Sequence, residues 1–500
     1  MTLHRAGSIV RRRVRTALAV VAFAPLALAG CMRAGGPHSS TPAVAQRGLA
    51  AADSALVGRI LLAEDRRDSM DAALLDGARH LDSRVRVIAE RAAGRIRDPK
   101  YTSRAMLPAA VAPPAWPEPA WRLRLRALAT QRDSCTTLRT AMRDESWPVR
   151  LGAADLAGAG CASDEAIVTT LREWIGDIPR DASRRAAGGV SWHPAAHAVV
   201  ALARLRPAEA RPRVSALARH PQWQPRMYAA RAAALLADTA TLRQLARDTD
   251  DNVKEAALEG LTKVAPGDVH SFILALGGSG AQAVRAAAIG MKGSAHLEVR
   301  EAAGAALDRW TARANASERD VRVALLELLG RPESADRAPA VIHSLPPDAV
   351  ALALGQQVRL RVRMSPASGG GTFVVRLRGD AAPMMASRLL ALVRTRYYDG
   401  LTWHRVEHDF VIQGGSPGAS EYVGFAQFLR DELGTVPHRR GTVGMSTRGH
   451  DTGDAQWFVN LRDNLRLDAD YTVFAEVSEG IEVVDGIMEG DVIERIEEVR

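Results

Sequence analysis

Residues 397–417 read YYDGLTWHRVEHDFVIQGGSP and set one arginine, Arg405, among apolar and amide side chains, with Phe410, Val411 and Gln413 close behind it. Some forty residues later QWFVN adds Gln456, Trp457 and Phe458. A guanidinium in such surroundings supports chemistry that needs no nucleophile. It can donate hydrogen bonds to charge or a lone pair that develops in a transition state, and an interaction stronger there than in the ground state accelerates a reaction. Other constellations are weaker. His404, His408, His438 and His450 lack ligand spacing and read as surface histidines, so no metal is expected. The glycine runs 277–280 and 369–371 are not followed by Lys-Ser or Lys-Thr, which argues against phosphate binding.

The elements that must hold these residues alternate in hydropathy. VRLRVRM and TFVVRLR predict two strands joined by a hairpin turn at 365–371. A helix is expected over 383–394 with proline in its first turn, and a second near 480–488. Further strands are expected around 402–413, 441–446, 456–461 and 472–477. Strands with two helices suit a closed β-barrel capped at its ends.

The spacing of Arg405, Phe410, Gln413 and Phe458 resembles the cyclophilin family of peptidyl-prolyl isomerases, whose pattern is usually written F-H-R-V, F-x-x-Q-G-G and S-Q-F-F-I. The resemblance covers about residues 357–500 and implies a cyclophilin-like barrel acting on X-Pro bonds without a cofactor. It implies that Arg405, two residues after Trp403, is the catalytic arginine. Phe410, Val411, Phe458 and Leu467 would form the cup for the proline ring, with Met445 a further wall residue and Tyr471 at the substrate edge. Gln413 and Gln456 would position arginine and substrate backbone. The chain departs from the pattern at several places: Arg466 stands where tryptophan is common, Tyr471 replaces a histidine, and Thr447 and Ala455 replace Asn and Ser. Arg466 puts tight cyclosporin binding in doubt.

Upstream, residues 49–335 are rich in Ala, Leu and Arg with apolar residues at helical spacing. A motif recurs: Asp82 before Val85-Arg86, Asp144 before Val149-Arg150, Asp250 and Asp251 before Val253-Lys254, then Val284-Arg285, Val299-Arg300 and Val321-Arg322, most followed by paired alanines. This resembles the HEAT-repeat pattern and predicts a multidomain chain, an α-helical solenoid of about six to eight helix pairs ahead of the barrel. Aspartate would cap, valine would pack, alanine would let helices approach, and arginine would reach an acidic side chain of the next repeat. Such a solenoid either holds a protein partner or serves as a spacer. Residues 336–356 read as a linker.

Residues 1–30 combine a basic head with the apolar run TALAVVAFAPLALAG, which reads as an export signal. Leu28-Ala29-Gly30-Cys31 resembles the bacterial lipobox, implying lipidation of Cys31, and residues 31–48 read as a flexible tether. The expected location is therefore the bacterial cell envelope, facing the periplasm, with the residue after Cys31 favouring the outer membrane. The formal charge of +9 includes five arginines of the leader, leaving 9 − 5 = +4 without them. Arginines are interspersed with acids, so no nucleic-acid partner is expected. Export leaves two alternatives open for Cys135 and Cys161, a disulfide between them or two buried thiols. The functional expectation is an isomerase assisting the folding of exported, proline-containing polypeptides, the alternative being a non-catalytic scaffold or chaperone with a passive proline pocket.

Overall fold

The computed structural model describes residues 49–98, 114–178, 189–336 and 344–499. The expected leader, the tether and Cys31 lie outside them. Up to residue 336 the described chain is helical, with α1 (Ala51–Arg66), α2 (Ala72–Ala78), α3 (Ser83–Arg97), α4 (Ala120–Thr130), α5 (Cys135–Ala141), α6 (Trp147–Leu156), α7 (Glu165–Gly176) and α8 (His193–Leu205). It continues with α9 (Pro207–Leu217), α10 (Trp223–Leu235), α11 (Thr239–Leu245), α12 (Asp251–Val264), α13 (Val269–Leu276), α14 (Ala281–Gly290), α15 (Leu297–Ala312) and α16 (Arg319–Leu328).

Aspartates begin several of these helices for the reason the sequence suggests. Asp82 accepts from the backbone N–H of Arg84 at 2.8 Å and Asp250 from that of Asn252 at 2.9 Å. Each such cap stabilises a helix by about 1 kcal/mol. Valines Val149, Val253, Val284, Val299 and Val321 are buried, and so are the alanine pairs 153–154, 256–257 and 287–288. With so little side chain between them, α6, α8, α10, α12, α14 and α16 pack each on the next. The arginines behave less uniformly than expected. Arg285 lies 3.7 Å from Glu255 and Arg322 donates to Asp336 at 2.8 Å, but Arg86 and Arg150 turn back to carbonyls of their own preceding loops. Cys135 and Cys161 are disulfide-bonded and tie the start of α5 to the turn before α7.

The remainder holds α17 (Ala349–Ala353), α18 (Pro383–Arg394) and α19 (Ile481–Asp485) with eight strands: β1 (Arg359–Met364), β2 (Thr372–Leu377), β3 (Arg405–Glu407), β4 (Val411–Gly414), β5 (Thr442–Met445), β6 (Trp457–Asn460), β7 (Val473–Glu479) and β8 (Ile493–Val499). They form one antiparallel sheet in the order β3-β4-β6-β5-β7-β2-β1-β8. The expected closed barrel is not formed. The sheet curls into a half-barrel whose edge strands β3 and β8 share no ladder; the chain just before each meets at the isolated bridge of Thr402 with Val492, flanked by backbone hydrogen bonds such as Gly400 to Ile493 and Trp403 to Asp491, each 2.8 Å. Each strand alternates inside and outside. Trp403, Ile412, Trp457, Val459 and Phe474 therefore fill one interior cluster together with residues of α18.

The helical region grips this sheet along its length. Arg95 of α3, buried, donates to the carbonyls of Leu433 at 2.6 Å, Ala381 at 2.8 Å and Glu432 at 3.0 Å, and to Glu64 of α1. Arg122 of α4 reaches the carbonyls of His408 at 2.7 Å and Leu461 at 2.8 Å, and Asp485 of α19 at 2.8 Å. Tyr228 of α10 donates to Glu489 at 2.9 Å, and Asn252 of α12 to the Gly418 carbonyl at 3.1 Å. Arg448 pairs with Asp320 of α16 at 2.5 Å. Residues from Leu49 onward thus make one compact unit. Residues 344–356 take part in it, since Ala349 and Ala353 of α17 share a buried cluster with Leu56, Val57 and Ile60 of α1.

Candidate functional site

Strand register alone assembles the candidate site. Arg405 of β3 pairs with Gln413 of β4, Gln413 with Phe458 of β6, and Phe458 with Gly444 of β5. Residues opposite one another in antiparallel strands share a face, so Arg405, Gln413 and Phe458 stand in one row on the side of the sheet away from its filled interior. Val411, two residues before Gln413, falls on the same face and packs with Phe458, Leu467, Phe410 and Tyr471 in a small apolar cluster of their own.

Amides hold the arginine in place. The Arg405 guanidinium donates from Nη1 to Gln413 Oε1 at 3.3 Å, Gln413 Nε2 donates to Gln456 Oε1 at 3.2 Å, and Gln456 Nε2 donates to the carbonyls of Glu421 at 3.0 Å and Val423 at 3.1 Å. Both glutamines are buried. Each is bonded at both ends of its amide, as a buried amide must be to avoid a desolvation cost of about 1–3 kcal/mol per orphaned group. Nη2 of Arg405 pairs with Glu407. The charged carbon sits 5.9 Å from the centre of the Phe410 ring. Arg405 is half-exposed and lines an open notch.

That notch has a volume of about 100 Å³ and is lined by Arg405, Phe410, Val411, Gln413, Phe458 and Leu467, with Tyr471 and Glu421 at its margins. It suits one small ring, being well below the roughly 300–1,000 Å³ of drug-sized pockets. Phe458 forms its floor, and the ring is held on two sides: Tyr471 meets it edge-on at 5.9 Å and His438 stacks on it at 5.8 Å. His438 is fully buried, contrary to its expected surface position, because it fills the space behind that ring. Its Nε2 bonds the Tyr471 carbonyl at 3.1 Å and its Nδ1 the Asn460 side-chain amide at 3.1 Å. Desolvation pushes its pKa down, so it serves as a neutral spacer. His404 is likewise pushed down to about 4, first by burial and further by the Arg405 charge.

Seven of the residues singled out in the sequence therefore converge: Arg405, Phe410, Val411, Gln413, Phe458, Leu467 and Tyr471. Gln456 stands one shell behind, acting through Gln413. Met445 is not brought to the notch. It pairs with Trp457, one residue out of phase with Phe458, and alternation turns it into the interior cluster. Arg466 and Thr447 enter the sequence reading only as departures from the family pattern, and Ser446 and Glu421 not at all. The Arg466 guanidinium covers Phe410 at 4.4 Å, and the other three line the rim.

Gly444 shows how tightly the floor is fitted. A Cβ there would lie 2.3 Å from Cζ of Phe458, a distance no relaxation of the strand can absorb without moving the ring. Gly444→Ala is expected to lower kcat/KM for whatever the notch acts on by about 10- to 100-fold, as an ångström-scale displacement in a site does. A steady-state assay of the variant, with its fold checked by circular dichroism, tests this. Unchanged kinetics would show that Phe458 is not part of the working surface.

Residues 361–500 match the family model described as cyclophilin type peptidyl-prolyl cis-trans isomerase/CLD. Over 130 residues the chain is 35% identical to a peptidyl-prolyl cis-trans isomerase of Helicobacter pylori, covering 80% of that protein and 25% of this one. It is 33% identical over 129 residues to peptidyl-prolyl cis-trans isomerase B of Bacillus subtilis, covering 90% of that protein and 25% of this one. Among solved structures, a cyclophilin type peptidyl-prolyl cis-trans isomerase of Cryptosporidium parvum aligns over 29% of this chain and 99% of its own, at 21% identity and a TM-score of 0.27.

Proposed function

The chain belongs, through its C-terminal part, to the cyclophilin-type peptidyl-prolyl cis-trans isomerase family, and we propose that Arg405 is the group with which it accelerates rotation about X-Pro bonds. The observation that carries this reading is an arginine fixed by an amide relay at the side of a ring-sized notch whose apolar wall is Phe410, Val411, Phe458 and Leu467. An X-Pro bond turns over a barrier of ~18–20 kcal/mol because rotation abandons amide resonance. At the twisted geometry the prolyl nitrogen regains a localised lone pair, and only then can it accept a hydrogen bond. Phe410, Val411, Phe458 and Leu467 hold the pyrrolidine ring, and Arg405 donates to the nitrogen. Gln413 and Gln456 keep the guanidinium from swinging away. No covalent bond breaks and no proton changes hands, so the gain comes from an interaction that exists in the transition state alone.

Exchange spectroscopy on a proline-containing peptide tests the reading. Uncatalysed interconversion takes roughly 10–100 s, so catalysis by the full chain is visible as exchange on a far shorter timescale. A chain that leaves the peptide at its uncatalysed rate would refute the proposal and favour the passive proline-holder.

The setting in which this activity works is also proposed. We take the substrates to be proline-containing segments of exported proteins, and the chain to be anchored to an envelope membrane through lipid on Cys31, with the outer membrane favoured. What supports this is the leader ending in Leu28-Ala29-Gly30-Cys31 and the Cys135–Cys161 bond, since disulfides persist in oxidising compartments. Labelled palmitate should enter the protein and be lost in Cys31→Ser; label retained in the variant would end the idea. The recurring Asp, Val, Arg and Ala-Ala spacing supports the reading of the helical region as HEAT-type repeats.

A further inference from the structure

Arg405 and Glu421 line two cavities at once. One is the notch. The other, about 470 Å³, opens between that edge of the sheet and the facing helices α10 and α12, which contribute Trp223, Met227, Arg231, Glu255 and Glu259. An extended chain advances at most ~3.3–3.6 Å per residue, so a polypeptide with its proline in the notch brings side chains only a few positions away into this second space.

The lining has a definite charge. Glu255, Glu259, Glu421 and Glu489 stand against two guanidinia, Arg231 and Arg405. Both cations are already engaged, Arg405 with Glu407 and Gln413, and Arg231 over the Tyr228 ring at 4.5 Å. His404, in the cavity lining, adds no charge because burial pushes its pKa down to about 4 against an opposing contact with the Thr402 backbone, and both its ring nitrogens are shielded from solvent without a well-formed hydrogen bond. The Glu255 carboxyl is pushed up to about 7, chiefly by burial and next by the charge of Glu259, with Glu421 adding to it and Arg285 and Arg231 opposing. Arg285, 3.7 Å from Glu255, faces this cluster of carboxyls, and a cationic group entering the cavity would meet Glu255, Glu259, Glu421 and Glu489 together.

We propose that this second cavity is a substrate subsite built by the helical region, which receives a lysine or arginine side chain of the polypeptide close to the proline being isomerised. The inference rests on the isomerase reading above and gives the helical region a part in substrate choice. The carboxylates of Glu255 and Glu259 approach the cation, His404 accepts a hydrogen bond from it, and Trp223 and Met227 cover its aliphatic stem. Acidic segments are turned away by the same charges.

The test uses the full chain and peptides alike except for Ala, Lys or Glu at each of three positions on either side of the proline. The expected result is a position at which kcat/KM for the lysine peptide exceeds that for the glutamate peptide about tenfold, with the preference shrinking as salt rises. In Glu255→Gln/Glu259→Gln the ratio falls towards one; should that variant fail to fold, the exposed Glu259→Gln alone and the salt series on the unaltered chain carry the test. A ratio near one at every position, or a ratio the substitutions leave intact, overturns the subsite. The two readings fail differently. Catalysis of the alanine peptides without a charge preference sinks the subsite alone, whereas no catalysis of any peptide sinks the isomerase reading and the subsite with it.

Discussion

Arg405→Ala is expected to lower kcat/KM for X-Pro isomerisation by about 10²- to 10³-fold, the loss that follows removal of a donor aimed at transition-state charge. The fold should survive it. Arg405 is half-exposed, and its removal leaves Glu407, itself exposed, without a partner. Exposed pairs of that kind contribute only about 0–1 kcal/mol. Gln413 Oε1 loses a donor but lies beside the open notch, where water replaces it. Arg405→Lys keeps a charge yet loses the planar fork that meets Gln413, Glu407 and substrate together, so it should recover a minor part of the activity. Initial rates of peptide isomerisation, set beside thermal unfolding of each variant, separate the catalytic loss from any structural one.

Arg122→Ala should produce the largest change in stability, a loss of about 3 to 5 kcal/mol, because it breaks a buried charge pair and removes three buried hydrogen bonds between the helical region and the sheet. Arg122 is fully buried and makes three bonds across to the sheet region, to His408, Leu461 and Asp485. Arg440 also reaches the Leu461 carbonyl and Asp485, so those two keep a partner, while the Arg122 bond to the His408 carbonyl is lost. That carbonyl lies two residues before Phe410, so the variant should also loosen the aromatic wall of the notch. Urea unfolding read by tryptophan fluorescence checks the first expectation. A midpoint unchanged from the parent would mean that the helical region and the sheet are held together elsewhere.

How far the sequence could be read follows from how local each feature is. Arg405, Phe410, Val411 and Gln413 lie within nine positions, and alternation along two short strands fixes their faces, so their grouping was legible. Phe458 came from spacing and was then set by register against Gln413. Met445 failed because a single step of register turns a side chain to the opposite face, and one-residue phase cannot be read from a four-residue strand. Barrel closure failed for a related reason: β3 is only three residues long, and short edge strands leave few groups to pair with β8. His438 reads as a surface residue because nothing local marks it as the backing of Phe458.

The grip of the helices on the sheet left the weakest trace. Arg95, Arg122 and Asn252 look like the solvated faces of ordinary amphipathic helices, yet each ends on a backbone carbonyl about 170 to 340 positions away. Pairings so distant carry no periodicity, and a carbonyl acceptor carries no side-chain identity at all. The expectation of a spacer, or of a surface reserved for another protein, is changed by these contacts, because one partner of the helical region is the catalytic part of its own chain.

The central claim, that a pinned guanidinium stabilises the twisted X-Pro bond, is tested most directly by exchange spectroscopy at saturating peptide, which separates the rate on the enzyme from binding. In Arg405→Ala the peptide should bind within about threefold of the parent while its cis/trans exchange on the enzyme slows by about a hundredfold, the pattern of an interaction made in the transition state alone. Bound peptide exchanging as fast on the variant as on the parent would contradict it.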